Sequence, residues 1–97
     1  MQVYLYMRSK NKPKISVVIP NYNRAHNLSE VLKDCMSQTS LPFEIIIQDN
    51  SFEKTEMMKV DQVVSRYKNI KFSRNSKNLG LVPNVNLVIK KAKGDYV

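Results

Sequence analysis

The chain reads as an α/β protein with an open, mainly parallel sheet flanked by helices, in β-α-β-α-β-α-β order. Three observations predict this. Residues 15–19 (ISVVI) and 45–47 (III) belong to continuous Val/Ile-rich runs without polar alternation, as in strands buried on both faces of a parallel sheet. The segments between such runs carry apolar residues at helical spacing. Each run also delivers polar residues to its end, Tyr22-Asn23-Arg24 after the first and Asp49-Asn50 after the second. Sheets of this kind bind ligands beyond the carboxyl ends of their strands, so these residues are expected to converge on one crevice.

The elements follow in order. Strand one is expected over Ile15 to Ile19, with Pro20 ending it because proline cannot donate to a ladder. A helix is expected from about Asn27, where Asn27 and Glu30 have capping-box spacing. Leu28, Val31, Leu32, Cys35 and Met36 then fall on one helical face. Leu41-Pro42 closes the connection, Phe43 to Gln48 reads as strand two, and Asp49-Asn50-Ser51 as the turn beyond it. Helix two is expected from about Lys54 to Tyr67, with Met57, Val60, Val64 and Tyr67 on a stripe, Val63 beside it, and the methionines filling core. Ile70 to Ser73 reads as strand three and Arg74 to Gly80 as a polar loop. Helix three is expected from Val82 to Lys93, with Pro83 suited to its first position and Gly94 to its C-terminal cap. Asp95-Tyr96-Val97 begins strand four. Right-handed crossovers turn this order into an open α/β sheet.

Ninety-seven residues allow one small domain. Residues 1–13 read as a leader or linker and residues 14–97 as the α/β domain, incomplete at its C-terminus. No apolar run approaches the roughly 20 residues that span a bilayer, and MQVYLYM lacks the features of a signal peptide. The chain is therefore read as cytoplasmic. Cys35 is the single cysteine, which excludes an internal disulfide and reads as a small buried hydrophobe. His26 has no nearby His or Cys with which to build a metal site. The net charge of +8 permits attraction to anionic partners. Its lysines lack the interleaved aromatics that stack bases, which argues against nucleic acid; peripheral contact with the inner face of an anionic membrane stays open. Glycines occur only at Gly80 and Gly94, so no glycine-rich phosphate loop exists. A nucleotide would have to be held by base and ribose.

The segments ISVVIPNYN and FEIIIQDNS, with NLG at 78–80 and AKGDYV at 92–97, closely resemble family 2 glycosyltransferases of the GT-A fold. The resemblance runs from about Lys14 to Val97. In that family the chain continues into an Asp-x-Asp motif for a divalent metal and the sugar-nucleotide diphosphate, then into an acceptor-binding half with the catalytic base. The resemblance therefore implies an N-terminal nucleotide-binding half that stops before this motif. None of Glu30, Glu44, Glu53 or Glu56 matches the base position, so no catalytic residue and no metal ligand is assigned. No cofactor is expected on this stretch alone, and Mn or Mg is expected in the complete enzyme.

The resemblance implies a set of nucleotide-binding residues. Pro20 and Tyr22 line the base, with the tyrosine ring packing near it. Asp49 accepts a hydrogen bond from a uracil ring N–H; the usual acidic pair is here Gln48-Asp49. Asn23 and Arg24 follow the first strand and Asn50 the second. Asn84 and Asn86 lie in LVPNVN, where relatives often carry an arginine directed at the phosphates, and Arg24 is the residue here that would supply such a charge. Asn23 and Asn50 also suit plain turns, Asp49 a turn and Tyr22 rim packing. The implied function is binding of a nucleotide-sugar, a UDP-sugar favoured, for inverting transfer to a saccharide, lipid-linked or envelope acceptor. The alternative is a non-catalytic module that self-associates as a homo-oligomer through an incomplete sheet edge. A phosphoacceptor receiver domain is disfavoured because Pro20-Asn21-Tyr22-Asn23 lacks acids.

Overall fold

A computed structural model describes residues 14–38 and 42–97; the expected leader over residues 1–13 and Leu41 lie outside them. The elements are β1 (Ser16–Asn21), α1 (Ala25–Met36), β2 (Glu44–Asp49), α2 (Lys54–Ser65), β3 (Ile70–Arg74) and α3 (Leu81–Lys91). The strands pair in parallel in the order β1-β2-β3. Ile47 lies opposite Ile19 on one side and Phe72 on the other. Tyr96 forms an isolated parallel bridge with Ile15, on the edge of β1 that β2 leaves open.

Every residue of β2 is buried, which explains its unbroken apolar run. Ile45 and Ile47 face a core built with Ala25, Leu28 and Leu32 of α1 and Val60 and Val63 of α2. Successive strand side chains alternate between faces, so Ile46 points the other way, towards α3, which packs on β1 and β2. The open α/β architecture is thus the one expected.

Several boundaries differ for physical reasons. β1 runs through Pro20 to Asn21 instead of ending at Ile19. Ser16 donates outward to the Tyr96 carbonyl while the Ile15 and Asn21 carbonyls accept from the β2 side; by this parity the nitrogen of Pro20 lies on the open edge, where no ladder donor is lost. α1 starts at Ala25 after Arg24, without a side-chain cap, so the Asn27–Glu30 box does not form. Ala25 is buried, and its N–H donates instead to Glu56 Oε2 of α2 at 3.4 Å.

The apolar stripes are narrower than expected. Leu28 and Leu32 are buried, but Val31 and Met36 are exposed. Met58 is 62% exposed, so it is not core filler. α2 ends at Ser65, and Tyr67 packs on the core from beyond it. Pro83 is the third residue of α3, still within the first turn, whose N–H groups lack intrahelical acceptors. Gly94 does not cap α3, whose C-cap is Ala92. A Cβ at Gly94 would lie 2.6 Å from Ser16 Oγ and 2.7 Å from the Lys14 carbonyl. This glycine lets the last segment approach β1 closely enough for the Tyr96 bridge.

Candidate functional site

At the carboxyl edge of the sheet, the ends of β1, β2 and β3 meet around one carboxylate. Asp49 is fully buried. Its Oδ1 accepts from Asn21 Nδ2 at 3.0 Å, Ser51 N at 3.1 Å and Ser51 Oγ at 2.7 Å. Its Oδ2 accepts from Arg74 Nε at 2.7 Å. Burial alone would push the carboxyl up, but the bonds from Ser51, Arg74 and Asn21 outweigh it and hold Asp49 below the usual carboxylate range. Arg74 also donates to Asp61 Oδ1 at 2.9 Å and the Met57 carbonyl at 3.3 Å, with its guanidinium over the Phe72 ring. Burial would lower its basicity; Asp61 and Asp49 raise it instead.

Beside this carboxylate lies a layer of amides. Asn75 Nδ2 donates to Asn50 Oδ1 at 2.8 Å and Asn84 Oδ1 at 2.7 Å, and Asn75 Oδ1 accepts from Gln48 Nε2 at 2.7 Å. Asn84 Nδ2 donates to the Gln48 carbonyl, which ties α3 to β2. Asn50 Nδ2 donates to Asn78 Oδ1 and the Gly80 carbonyl, holding the loop before α3. Gln48 Oε1 accepts from Ser73 Oγ and Lys91 Nζ. Buried polar groups are tolerated when satisfied in this way.

An open aromatic pair stands at the rim. Tyr22 follows Asn21 and Phe52 follows Ser51, so both rings are carried by neighbours of residues that bind Asp49. Their centroids are 5.8 Å apart with planes tilted by 31°, and both are exposed. The two loops are stitched where Asn23 N donates to Ser51 Oγ at 2.9 Å. Asn23 adopts φ 48°, a left-handed conformation that asparagine tolerates, and its buried Oδ1 has no partner.

The residues expected at the site therefore divide. Pro20 lies within β1 and Tyr22, Asn23 and Arg24 follow its end, and Asp49 and Asn50 sit at the end of β2. Asn50 and Asn84 are buried within the amide layer, whereas Asn86 is exposed. Asn21, Ser51, Phe52, Ser73, Arg74, Asn75 and Lys91 complete the arrangement and were missed. One signal was available: Arg74-Asn75 ends strand three just as Tyr22-Asn23 and Asp49-Asn50 follow the first two.

Among the described residues no three His, Cys, Asp or Glu side chains gather as cation ligands. The oxygens of Asp49 already hold four hydrogen bonds, one from an arginine. These residues do not fit a divalent cation. Among the described residues, too, no helix is long and apolar enough to cross a membrane.

Parallel strands in this order, with polar groups gathered at their carboxyl ends, define the Rossmann-like half of a GT-A fold. Residues 16–97 match the family Glycosyl transferase family 2, and the chain belongs to that family. It is 37% identical over 87 residues to an uncharacterized glycosyltransferase of Rickettsia conorii, covering 90% of this chain and 14% of that protein. It is 31% identical over 87 residues to the cholesterol galactosyltransferase of Borreliella burgdorferi, covering 90% and 24%, and 26% identical to an uncharacterized glycosyltransferase of Haemophilus influenzae, covering 90% and 35%. The chain thus spans about a third or less of these relatives. A mannosyltransferase from Pyrobaculum calidifontis, solved with GDP-Man and Mn2+, superposes with a TM-score of 0.66 at 19% identity, covering 89% of this chain and 26% of that one.

Proposed function

We propose that this chain forms the donor-nucleotide-binding part of a sugar transferase, with the base resting against Tyr22 and read by Asp49. The observation that carries the reading is the exposed Tyr22–Phe52 pair, mounted on the two loops that the Asp49 carboxylate holds together. Aromatic faces stack bases. A carboxylate offers about four acceptor sites; Oδ2 carries one hydrogen bond, and because Asp49 is fully buried a ring N–H reaches it only when the loops bearing Tyr22 and Phe52 part. Arg24, exposed after β1, supplies charge for the phosphates, and Asn86 a neutral hydrogen bond. Asn50 and Asn84 act from beneath, by holding the loop and helix that bound the crevice.

The favoured donor is a UDP-sugar, transferred with inversion to a saccharide, lipid-linked or envelope acceptor at the cytoplasmic side. A Mn or Mg ion in the complete enzyme would offset charge on the departing diphosphate, with residues other than those described here as its ligands. The neighbour solved with GDP-Man makes GDP the necessary competitor in any test.

The test is a two-dimensional amide spectrum of the labelled chain titrated with UDP and then GDP. Shifts clustered at Tyr22, Asn23, Asp49 and Phe52 with UDP alone are expected. Dispersed peaks indifferent to both nucleotides would overturn the reading. The second reading, self-association, has the outer edge of β3 in its favour, since no described strand pairs there. Light scattering separates the two: a dimer indifferent to nucleotide supports the second.

A further inference from the structure

We propose that the amino edge of the sheet, opposite the Asp49 crevice, is a docking surface for an anionic membrane. A shallow groove of about 400 Å3 opens there, lined by residues at the starts of β2 and β3, among them Phe43, Glu44, Lys68 and Lys71. Phe43 is 49% exposed, and Lys14 Nζ lies 5.0 Å from the centre of its ring. The one acid in the groove is neutralised from within. Glu44 Oε1 accepts from Lys71 Nζ at 3.3 Å, and Oε2 accepts from the Lys93 backbone N–H at 3.0 Å. Lys14, Lys68 and Lys93 are exposed at this edge, which also holds Asp95, whose Oδ2 accepts from the Lys14 N–H at 2.9 Å.

The contrast with the opposite edge carries the argument. There Arg74 is matched by Asp49 and Asp61, and the exposed Arg24, Lys54 and Lys77 share the edge with Glu53 and Glu56. At the amino edge four lysines, Lys14, Lys68, Lys71 and Lys93, stand against two acids, Glu44 and Asp95, around an exposed aromatic ring. Clustered lysines are attracted to anionic headgroups. An aromatic side chain among them gains by sitting at the headgroup boundary, which a free phosphate would not reward. A single phenylalanine offers no series of stacking faces along a nucleic-acid strand. Charge and apolar surface together fit a lipid surface. This proposal is independent of the nucleotide reading.

Co-sedimentation with vesicles of phosphatidylcholine, alone or mixed with phosphatidylglycerol, tests it. Binding is expected only to the mixed vesicles and should weaken with salt. Lys14→Ala/Lys68→Ala/Lys93→Ala should lower it about 100-fold, at about fivefold per lysine, because the Lys93 backbone bond to Glu44 survives the substitution. Lys54→Ala/Lys59→Ala/Lys77→Ala, with the same loss of charge, should bind within about twofold of the parent chain. Phe43→Ser should weaken binding while keeping its salt slope. Amide spectra of each variant verify folding. Equal losses in both triple variants would overturn the proposal, as would the absence of binding by the parent chain. It would equally be overturned if Arg8→Ala/Lys10→Ala/Lys12→Ala alone removed binding, or if a single-stranded oligonucleotide engaged the same three lysines more tightly than the vesicles.

Discussion

Arg74 Nε lies 2.7 Å from Asp49 Oδ2, so the residue that ends β3 neutralises the buried carboxylate that ends β2. The same guanidinium reaches Asp61 of α2 at 2.9 Å. One side chain therefore fastens two strands and a helix at the edge where the candidate site lies.

Arg74→Ala should destabilise the domain by about 2–3 kcal/mol, because it leaves a buried carboxylate without its cation. The value falls below that of a wholly buried pair because Arg74 is itself 20% exposed and water can replace it in part. Urea unfolding followed by circular dichroism measures the loss. An unchanged midpoint would show that the pair contributes nothing.

Acid should unfold the protein partly through Asp49. Its folded-state pKa is lowered relative to the unfolded chain, so the folded state binds fewer protons. Its stabilising contribution is therefore complete above about pH 5 and is lost as pH falls below about 4 towards the depressed folded value. Glu44, also lowered, acts in the same direction: burial would raise it, but bonds from Lys93 and Lys71 prevail. Asp49→Asn should flatten this acid limb while costing stability at neutral pH. A limb as steep as that of the parent chain would assign acid sensitivity to other groups.

Gly94→Ala should cost about 1–3 kcal/mol. The new Cβ would meet Ser16 Oγ at 2.6 Å, the Lys14 carbonyl at 2.7 Å and Ser16 N at 2.8 Å. Two of these atoms belong to backbone and cannot swing away. Amide hydrogen exchange should show the Ser16 N–H, which donates to Tyr96 at 2.8 Å, losing protection first. Retained protection there would mean that the segment shifts as a unit.

On the proposed nucleotide reading, Tyr22→Ala should weaken UDP binding by roughly 5- to 150-fold, the range for loss of one base–aromatic stack. Phe52→Ala should cost less, since Phe52 acts by bracing the Tyr22 ring. Calorimetric titration of both variants provides the ranking. A larger loss at Phe52 would make that ring the platform.

Much of the fold was legible because burial on both faces leaves its mark in composition. The all-buried β2 reads as EIIIQD, and Leu28 and Leu32 repeat at helical spacing. The end of β1 was misjudged because Pro20 interrupts a ladder only where a neighbour needs its N–H, and which edge is open is not a property of local sequence. Val31 suits a helical stripe and Met58 the expectation of core-filling methionines, yet both are exposed, since the width of each stripe depends on what packs against it. Asn84 and Asn86 looked equivalent. Asn84 lies four residues before the buried Val88, on the face turned to β2, while Asn86 falls outside it.

What the chain determined by itself was the alternation of strand and helix and the delivery of polar residues to the strand ends, because both follow from periodicity and local backbone chemistry. Tertiary structure decided who meets whom. Asp49 and Arg74 are separated by 25 residues, and only the parallel register opposing them turns two charged residues into a buried pair. The amide layer joining Gln48, Asn50, Asn75 and Asn84 was decided in the same way. Its members are ordinary strand, turn or helix residues in sequence, and they become a network because burial in a low-dielectric interior requires each to find a partner.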